Sequence, residues 1–267
     1  NDAFGTAHRD HASNTGITEE IPRNVAGRLM VREINILNSL LDNPAKPFVV
    51  ISGGKKINTK LKTITNLPCD KIFLGGIMAN TFMKARGDNI GKSKYEEDEL
   101  GTAEEFRKKA GEKLVLPKDV VITDDLKEPT KIKTVLVEDL KNDNEPEEIK
   151  KEFPEGWVIA DIGEETRKEI DEAVNNGKTA MWNGPVGFYE TDEFAEGTIS
   201  IGRSMANATG QDVKTIIASG DIPAALEKAY DIDLENDFTH ICTGGGAALK
   251  ALAGKELVGV ACINEKK

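Results

Sequence analysis

Five times along this 267-residue chain an apolar, strand-like run ends in a turn that contains glycine, and a helix-like stretch follows. The five are PFVVISGGKK, KIFLGGIMA, TAMWNGPVG, KTIIASGD and THICTGGGAA. Strand, turn and helix repeated in this way are the mark of parallel βαβ units, and they predict a doubly wound, Rossmann-like parallel α/β sheet. In such a sheet the turns that follow the strands share one edge, where these folds hold their ligands. Glycine lets the backbone turn sharply and approach a ligand, while the next helix aims its free amides and positive dipole end at the same spot. Phosphates are the anions such a place binds best.

The alternation predicts strands over 47–52, 71–74, 119–123, 133–138, 157–160, 179–182, 214–217 and 238–242. Helices are expected over 58–66, with Asn58 as its cap, and over 78–86, 102–113 and 245–253. Val25, Leu29, Met30, Ile34, Leu37, Leu40 and Leu41 form an apolar stripe that predicts one long helix over about 21–42, able to bridge two domains. The acidic stretch NDNEPEE reads as a linker. A hydrophobic content of 39% suffices for a core, and a net charge of −11 argues against a broad nucleic-acid-binding face. Cys69, Cys242 and Cys262 form no CxxC pair, which suits reduced, structural thiols in a cytosol. No apolar run approaches the ~20 residues that span a bilayer, so a cytoplasmic protein with no membrane partner, and a monomer, is expected. The opening NDAFGTAHR starts on Asn1 rather than methionine, and further sequence upstream is expected.

Several residues could do chemistry. Lys55 and Lys56 end the first glycine turn, and Lys60 follows Lys56 by four residues, so Lys56 and Lys60 can converge on one polyphosphate from a strand-end loop and a first helical turn; the plain alternative is a solvated lysine pair. Asp221 opens the helix after the fourth strand-like run of the set and is either an N-cap or a carboxylate for Mg²⁺ beside phosphate. Thr243-Gly244-Gly245-Gly246 places consecutive backbone amides at a helix start, costly to order and therefore suggestive of close approach. RGDNIGKS at 86–93 is one residue short of a phosphate-loop spacing and follows a helix rather than a strand, so it is not expected to hold phosphate. His240 reads as a core histidine, and His8 and His11 lack the partners of a metal site.

At Trp182-Asn183-Gly184-Pro185-Val186-Gly187 the chain resembles the WNGP-[VM]-G-x-F-E segment of the phosphoglycerate kinase family. NDAFGTAHR at 1–9 is similar to that family's signature at the end of its N-terminal domain. The order agrees onward through AGRLM at 26–30, GG-x-K with a second lysine at 53–60, GG-x-MA at 75–79, IGKS at 90–93, LP at 116–117, DIG at 161–163, GD at 220–221, TGGGA at 243–247 and GKEL at 254–257. The resemblance implies that residues 1–20 are a remnant of the N-terminal substrate domain, 21–43 the interdomain helix and 44–267 the nucleotide-binding α/β domain. It also implies reversible phosphoryl transfer between 1,3-bisphosphoglycerate and ADP, with Mg²⁺. Carried over by position, Lys56 would stabilise the phosphoryl group in flight, and Gly244, Gly245 and Gly246 would offer it amides. Lys60 would contact the nucleotide phosphates, Gly54 and Gly220 would adjoin them, and Asp221 would hold the metal. Asn183, Pro185 and Glu190 would line the ribose and phosphate side. Gly75 and Gly76, with Met78 nearby, would flank adenine, while Arg9 and His8 would face phosphoglycerate.

The chain departs from the family at Ile77, where a third glycine is usual, and at Ala218, Ser219 and Ile222, where GGGD followed by a hydroxyl residue is usual. Overpacking at such contacts would weaken nucleotide binding by about 1–3 kcal/mol. Lys55 replaces a small residue. Apart from Arg9, the arginines by which the family grips phosphoglycerate are not found, so the chain by itself is expected to be inactive as a kinase. A non-catalytic nucleotide-binding module derived from the same fold is the alternative.

Overall fold

The computed structural model describes residues 1–21, 23–140 and 153–263. The NDNEPEE stretch, expected as a linker, lies outside the described residues. Among those described, the strands in chain order are β1 (Phe48–Ser52), β2 (Lys71–Leu74), β3 (Leu114–Val115), β4 (Asp119–Thr123), β5 (Ile132–Leu136), β6 (Val158–Ile162), β7 (Thr179–Asn183), β8 (Lys214–Ile217) and β9 (His240–Ile241). The α-helices are α1 (Ile17–Glu20), α2 (Arg28–Leu41), α3 (Ile57–Asn66), α4 (Gly76–Arg86), α5 (Leu100–Ala110), α6 (Glu164–Asn175), α7 (Glu196–Thr209), α8 (Asp221–Leu226), α9 (Gly245–Leu252) and α10 (Val258–Ala261).

Six strands form an all-parallel sheet in the order β3-β2-β1-β7-β8-β9, as the repeated strand-turn-helix pattern predicts. Both faces are covered, which is why β1 and β7 are buried throughout and are mostly apolar rather than alternating. Alternate residues feed two cores. Phe48, Val50, Ile72, Met181 and Ile216 pack with α2, α3 and α9 on one side, whereas Val49, Ile51, Phe73, Trp182 and Ile217 pack with α6, α7 and α8 on the other. The first residues join the former core through Phe4 and Ala7, both fully buried.

Two expectations are revised. The strands β4, β5 and β6 leave the parallel sheet and form a separate antiparallel sheet, β5-β4-β6, with its own core around Met83, Ile122 and Val135. The long helix expected over 21–42 begins only at Arg28. Its start is set from a distance: Asp2 accepts the Met30 N–H at 2.8 Å, and a side chain on Gly27 would overlap Asp2. The cap therefore comes from the chain's second residue.

Candidate functional site

From β1 the chain runs outward to β2 and β3, whereas from β7 it runs the other way to β8 and β9, so the strand order reverses between β1 and β7. A crevice at the carboxyl ends of the strands is the expected ligand site at such a switch point. A cleft of about 660 Å³ opens there, and the turn after each of β1, β2, β7, β8 and β9 contributes to it through Gly54, Gly76, Pro185, Gly220 and Gly245. The five glycine turns thus do share one edge and one cavity.

The β1 and β7 turns are locked together. The Gly53 N–H donates to Asn183 O at 3.0 Å, and a side chain on Gly53 would overlap Pro185 O. Lys60, buried on α3, donates its ammonium to Gly53 O and, at 3.3 Å, to Asn183 O. Burial pushes Lys60 down to about 8, against the opposing pull of the Asp221 and Glu96 carboxylates. Asn183 gives its amide NH₂ to Ala218 O, while its Oδ1 is buried without a partner among the described residues.

The start of α3 differs from expectation. Asn58 is not its cap. The helix begins at Ile57, with Lys56 in the cap position at φ 69°, ψ 54°, and the Glu96 carboxylate accepts the Lys56 N–H at 2.7 Å and the Ile57 N–H at 2.9 Å. A charged acceptor from a neighbouring loop holds two amides at once, which the exposed Asn58 side chain, already inside the first turn, does not. Two of the amides expected to be free after the GGKK turn, those of Lys56 and Ile57, are thus occupied. At α9 the amides are open: no side chain among the described residues caps it, and Gly245 and Gly246 line the cleft. That turn is anchored from behind by Glu33 of α2, whose Oε1 accepts the Thr243 N–H at 2.7 Å and hydroxyl at 2.8 Å, with His240 Nε2 3.0 Å from Oε2.

Lys55, Lys56, Lys60, Gly54, Gly76, Asn183, Pro185, Glu190, Gly220, Asp221, Gly245 and Gly246 all line the cleft. Gly75 and Gly244 lie behind its wall: a side chain would overlap Val186 at the first and crowd the Gly5 main chain at the second. Met78 is in the core, and so is Ile222, so the crowding expected at Ile222 falls outside the cleft, whereas Ile77, Ala218 and Ser219 do line it. Arg9 and His8 are not among the lining residues. His8 sits beside the start of α9, with Lys250 donating to its carbonyl at 3.2 Å, and burial with Arg9 and Lys250 nearby lowers its pKa. In RGDNIGKS, Ser93 is tied to Ile90 O and to the Ile159 N–H, a structural role, and Lys92 reaches the cleft rim. The cysteines are free thiols.

Asp221 is exposed at the rim, and no hydrogen bond or ion pair engages its carboxylate among the described residues. An unpartnered carboxylate at the rim of this cleft is a donor that suits a hard divalent cation such as Mg²⁺. Neither Glu96 nor Asp161 has a role that can be assigned from residue pattern alone. Asp161 is wholly buried in the cleft floor, where it accepts the Gly197 N–H at 2.6 Å and the Ile162 N–H at 2.8 Å, and burial raises it to about 7. Its only sequence signal is the DIG motif, which carries no hint of what it faces.

A model of the phosphoglycerate kinase family matches residues 1–255. The phosphoglycerate kinase of Oenococcus oeni is 40% identical over 268 residues, covering 100% of this chain and 62% of that protein. That of Gloeothece citriformis is 43% identical over 270 residues, covering 99% and 63%. Among solved structures, phosphoglycerate kinase from Coxiella burnetii superposes with a TM-score of 0.85 at 34% identity, over 98% of this chain and 64% of that one. The chain thus spans less than two thirds of the length of these relatives. No helix among the described residues is long and apolar enough to cross a membrane.

Proposed function

Since the chain belongs to the phosphoglycerate kinase family, we propose that it is the nucleotide-binding part of an enzyme that moves a phosphoryl group reversibly between 1,3-bisphosphoglycerate and ADP, giving 3-phosphoglycerate and ATP in glycolysis. The observation that carries this reading is the meeting of Lys56, Lys60, Asp221 and the open amides of α9 in one cleft at the switch point. Three strand spacings separate the β1 turn from the β9 turn, roughly 14 Å across the sheet, room for a polyphosphate between lysines and amides.

Phosphoryl transfer needs alignment and cancellation of developing negative charge more than it needs a protein nucleophile. Lys60 holds the nucleotide phosphates and ties them to both switch-point turns. Lys56 meets the phosphoryl group in flight, and the amides of Gly245 and Gly246, with Gly244 shaping the turn behind them, receive it. Gly54 and Gly220 let the backbone approach the phosphates. Asn183, through its unpaired Oδ1, with Pro185 and Glu190, faces the ribose and phosphate side. Gly76 borders the base, with Gly75 packed behind it against Val186. Asp221 would hold Mg²⁺, which supplies positive charge to the phosphate oxygens. His8, beside the start of α9, and Arg9, which reaches back to His8, belong to the phosphoglycerate side. Residues 1–20, 21–43 and 44–267 correspond in this reading to the end of a substrate domain, the interdomain segment and the nucleotide domain of a cytoplasmic, monomeric enzyme.

Calorimetric titration with ADP and Mg²⁺ tests the reading. Saturable binding is expected, weakened about tenfold or more by Lys60→Ala, which removes a charged partner of the phosphates. Absence of binding at millimolar ADP would overturn it.

A further inference from the structure

Lys56 is a non-glycine residue in the left-handed region, at φ 69° and ψ 54°. An L side chain is strained there and persists only where its surroundings enforce the conformation. The enforcement is visible: both oxygens of Glu96 are engaged, one by the Lys56 N–H at 2.7 Å and one by the Ile57 N–H at 2.9 Å. Glu96 is held in turn, because its own N–H donates to Thr81 Oγ1 at 3.0 Å, and that hydroxyl donates to Ile77 O at 2.9 Å. Ile77 and Lys56 both line the cleft. A chain of hydrogen bonds therefore runs from α4 through Glu96 to the lysine turn.

We propose that Glu96 is a positioning residue for phosphoryl transfer, fixing Lys56 in its left-handed conformation on the cleft and closing the start of α3 to phosphate. The inference rests on the function proposed above. Its content is a division of labour between two helix ends. At the start of α3 the Lys56 and Ile57 amides are taken by a resident carboxylate that also offsets the positive dipole end, so a polyphosphate meets ammonium groups there. The start of α9 has no side-chain cap among the described residues. Glu96 touches neither the substrate nor the reacting atoms in this arrangement. It acts through Lys56.

The test measures ADP and adenosine affinities of the 267-residue chain by calorimetry for wild type, Glu96→Gln, Glu96→Ala, Lys56→Ala and the Glu96→Ala/Lys56→Ala double variant. Glu96→Ala is expected to weaken ADP about tenfold, as for a misplaced charged partner, while leaving adenosine within about twofold, and Glu96→Gln, which keeps one acceptor oxygen, to fall between. In the Lys56→Ala background the Glu96 effect should vanish, the sign of action through that lysine. Adenosine binding serves as the control for folding. Equal losses for ADP and adenosine would make Glu96 a stabilising cap and overturn the proposal, as would a Glu96 effect that persists without Lys56. A gain in ADP affinity would also overturn it, because the vacated α3 amides would then be a phosphate site. If wild type binds no ADP, the functional reading itself falls, an outcome distinct from binding that is indifferent to Glu96.

Discussion

Lys60 carries its charge in a place that resists it, and two carbonyls are what it has in return. Because burial lowers it to about 8, its protonation changes within an accessible pH range. Phosphate prefers the ammonium form, so ADP affinity is expected to fall as pH rises through that value. Nucleotide binding should then draw protons onto Lys60 near pH 8, which calorimetry in two buffers of different ionisation enthalpy will read. In the ligand-free protein the sign is reversed. A lysine lowered on folding is less protonated than its unfolded counterpart between about 8 and 10.5, so its contribution to stability improves as pH rises across that window. Gly53 presents the opposite kind of constraint, one of space. Gly53→Ala must part the β1 and β7 turns, because its side chain would overlap Pro185 O. A cost of about 1–3 kcal/mol is expected from overpacking, measured by urea unfolding and accompanied by weaker ADP binding.

Among the elements, those whose boundaries depend on neighbours in sequence were legible and those that depend on distant partners were not. The pattern placed β2, β4 and β8 on their observed residues, because each is a short apolar run stopped by turn residues. It misplaced the start of α2, whose cap is Asp2, and the cap of α3, which is Glu96 rather than Asn58. Nothing local marks an acceptor that arrives from 28 or 40 residues away. The antiparallel pairing of β4 with β5 and β6 was hidden for the same reason: strand propensity names the strands but not their partners. The remote cap makes a prediction at this scale. Asp2→Ala should cost about 1 kcal/mol, the usual worth of an N-cap, and protection of the Met30 amide from hydrogen exchange should fall with it.

At the scale of the molecule, the candidate cleft was largely readable in advance because parallel strands leave all their turns on one edge. Five separate glycine turns converge by topology, not by any signal linking one to another. What could not be read was which glycines face the cavity and which, like Gly75 and Gly244, only permit close packing behind it. A ligand that spans the cleft touches elements fed by both cores, so its binding should stabilise the whole chain. With Mg²⁺ and ADP at a hundred times the dissociation constant, about 2.7 kcal/mol is expected, seen as a rise of several degrees in the unfolding midpoint. Asp221→Ala should abolish the part of that rise that depends on Mg²⁺.

The packing of Gly5 against Gly244 reaches beyond stability. Main chain presses on main chain there with no side chain between, and close-packed contacts of this kind pass strain onward, since no rotamer is available to give way. Gly244 leads directly into the amides at the start of α9, and Gly5 follows the residue whose ring is sunk in the core. The opening of the chain thus forms an unyielding back wall for the turn that leads into α9, and a side chain at Gly244 would have to part the two segments.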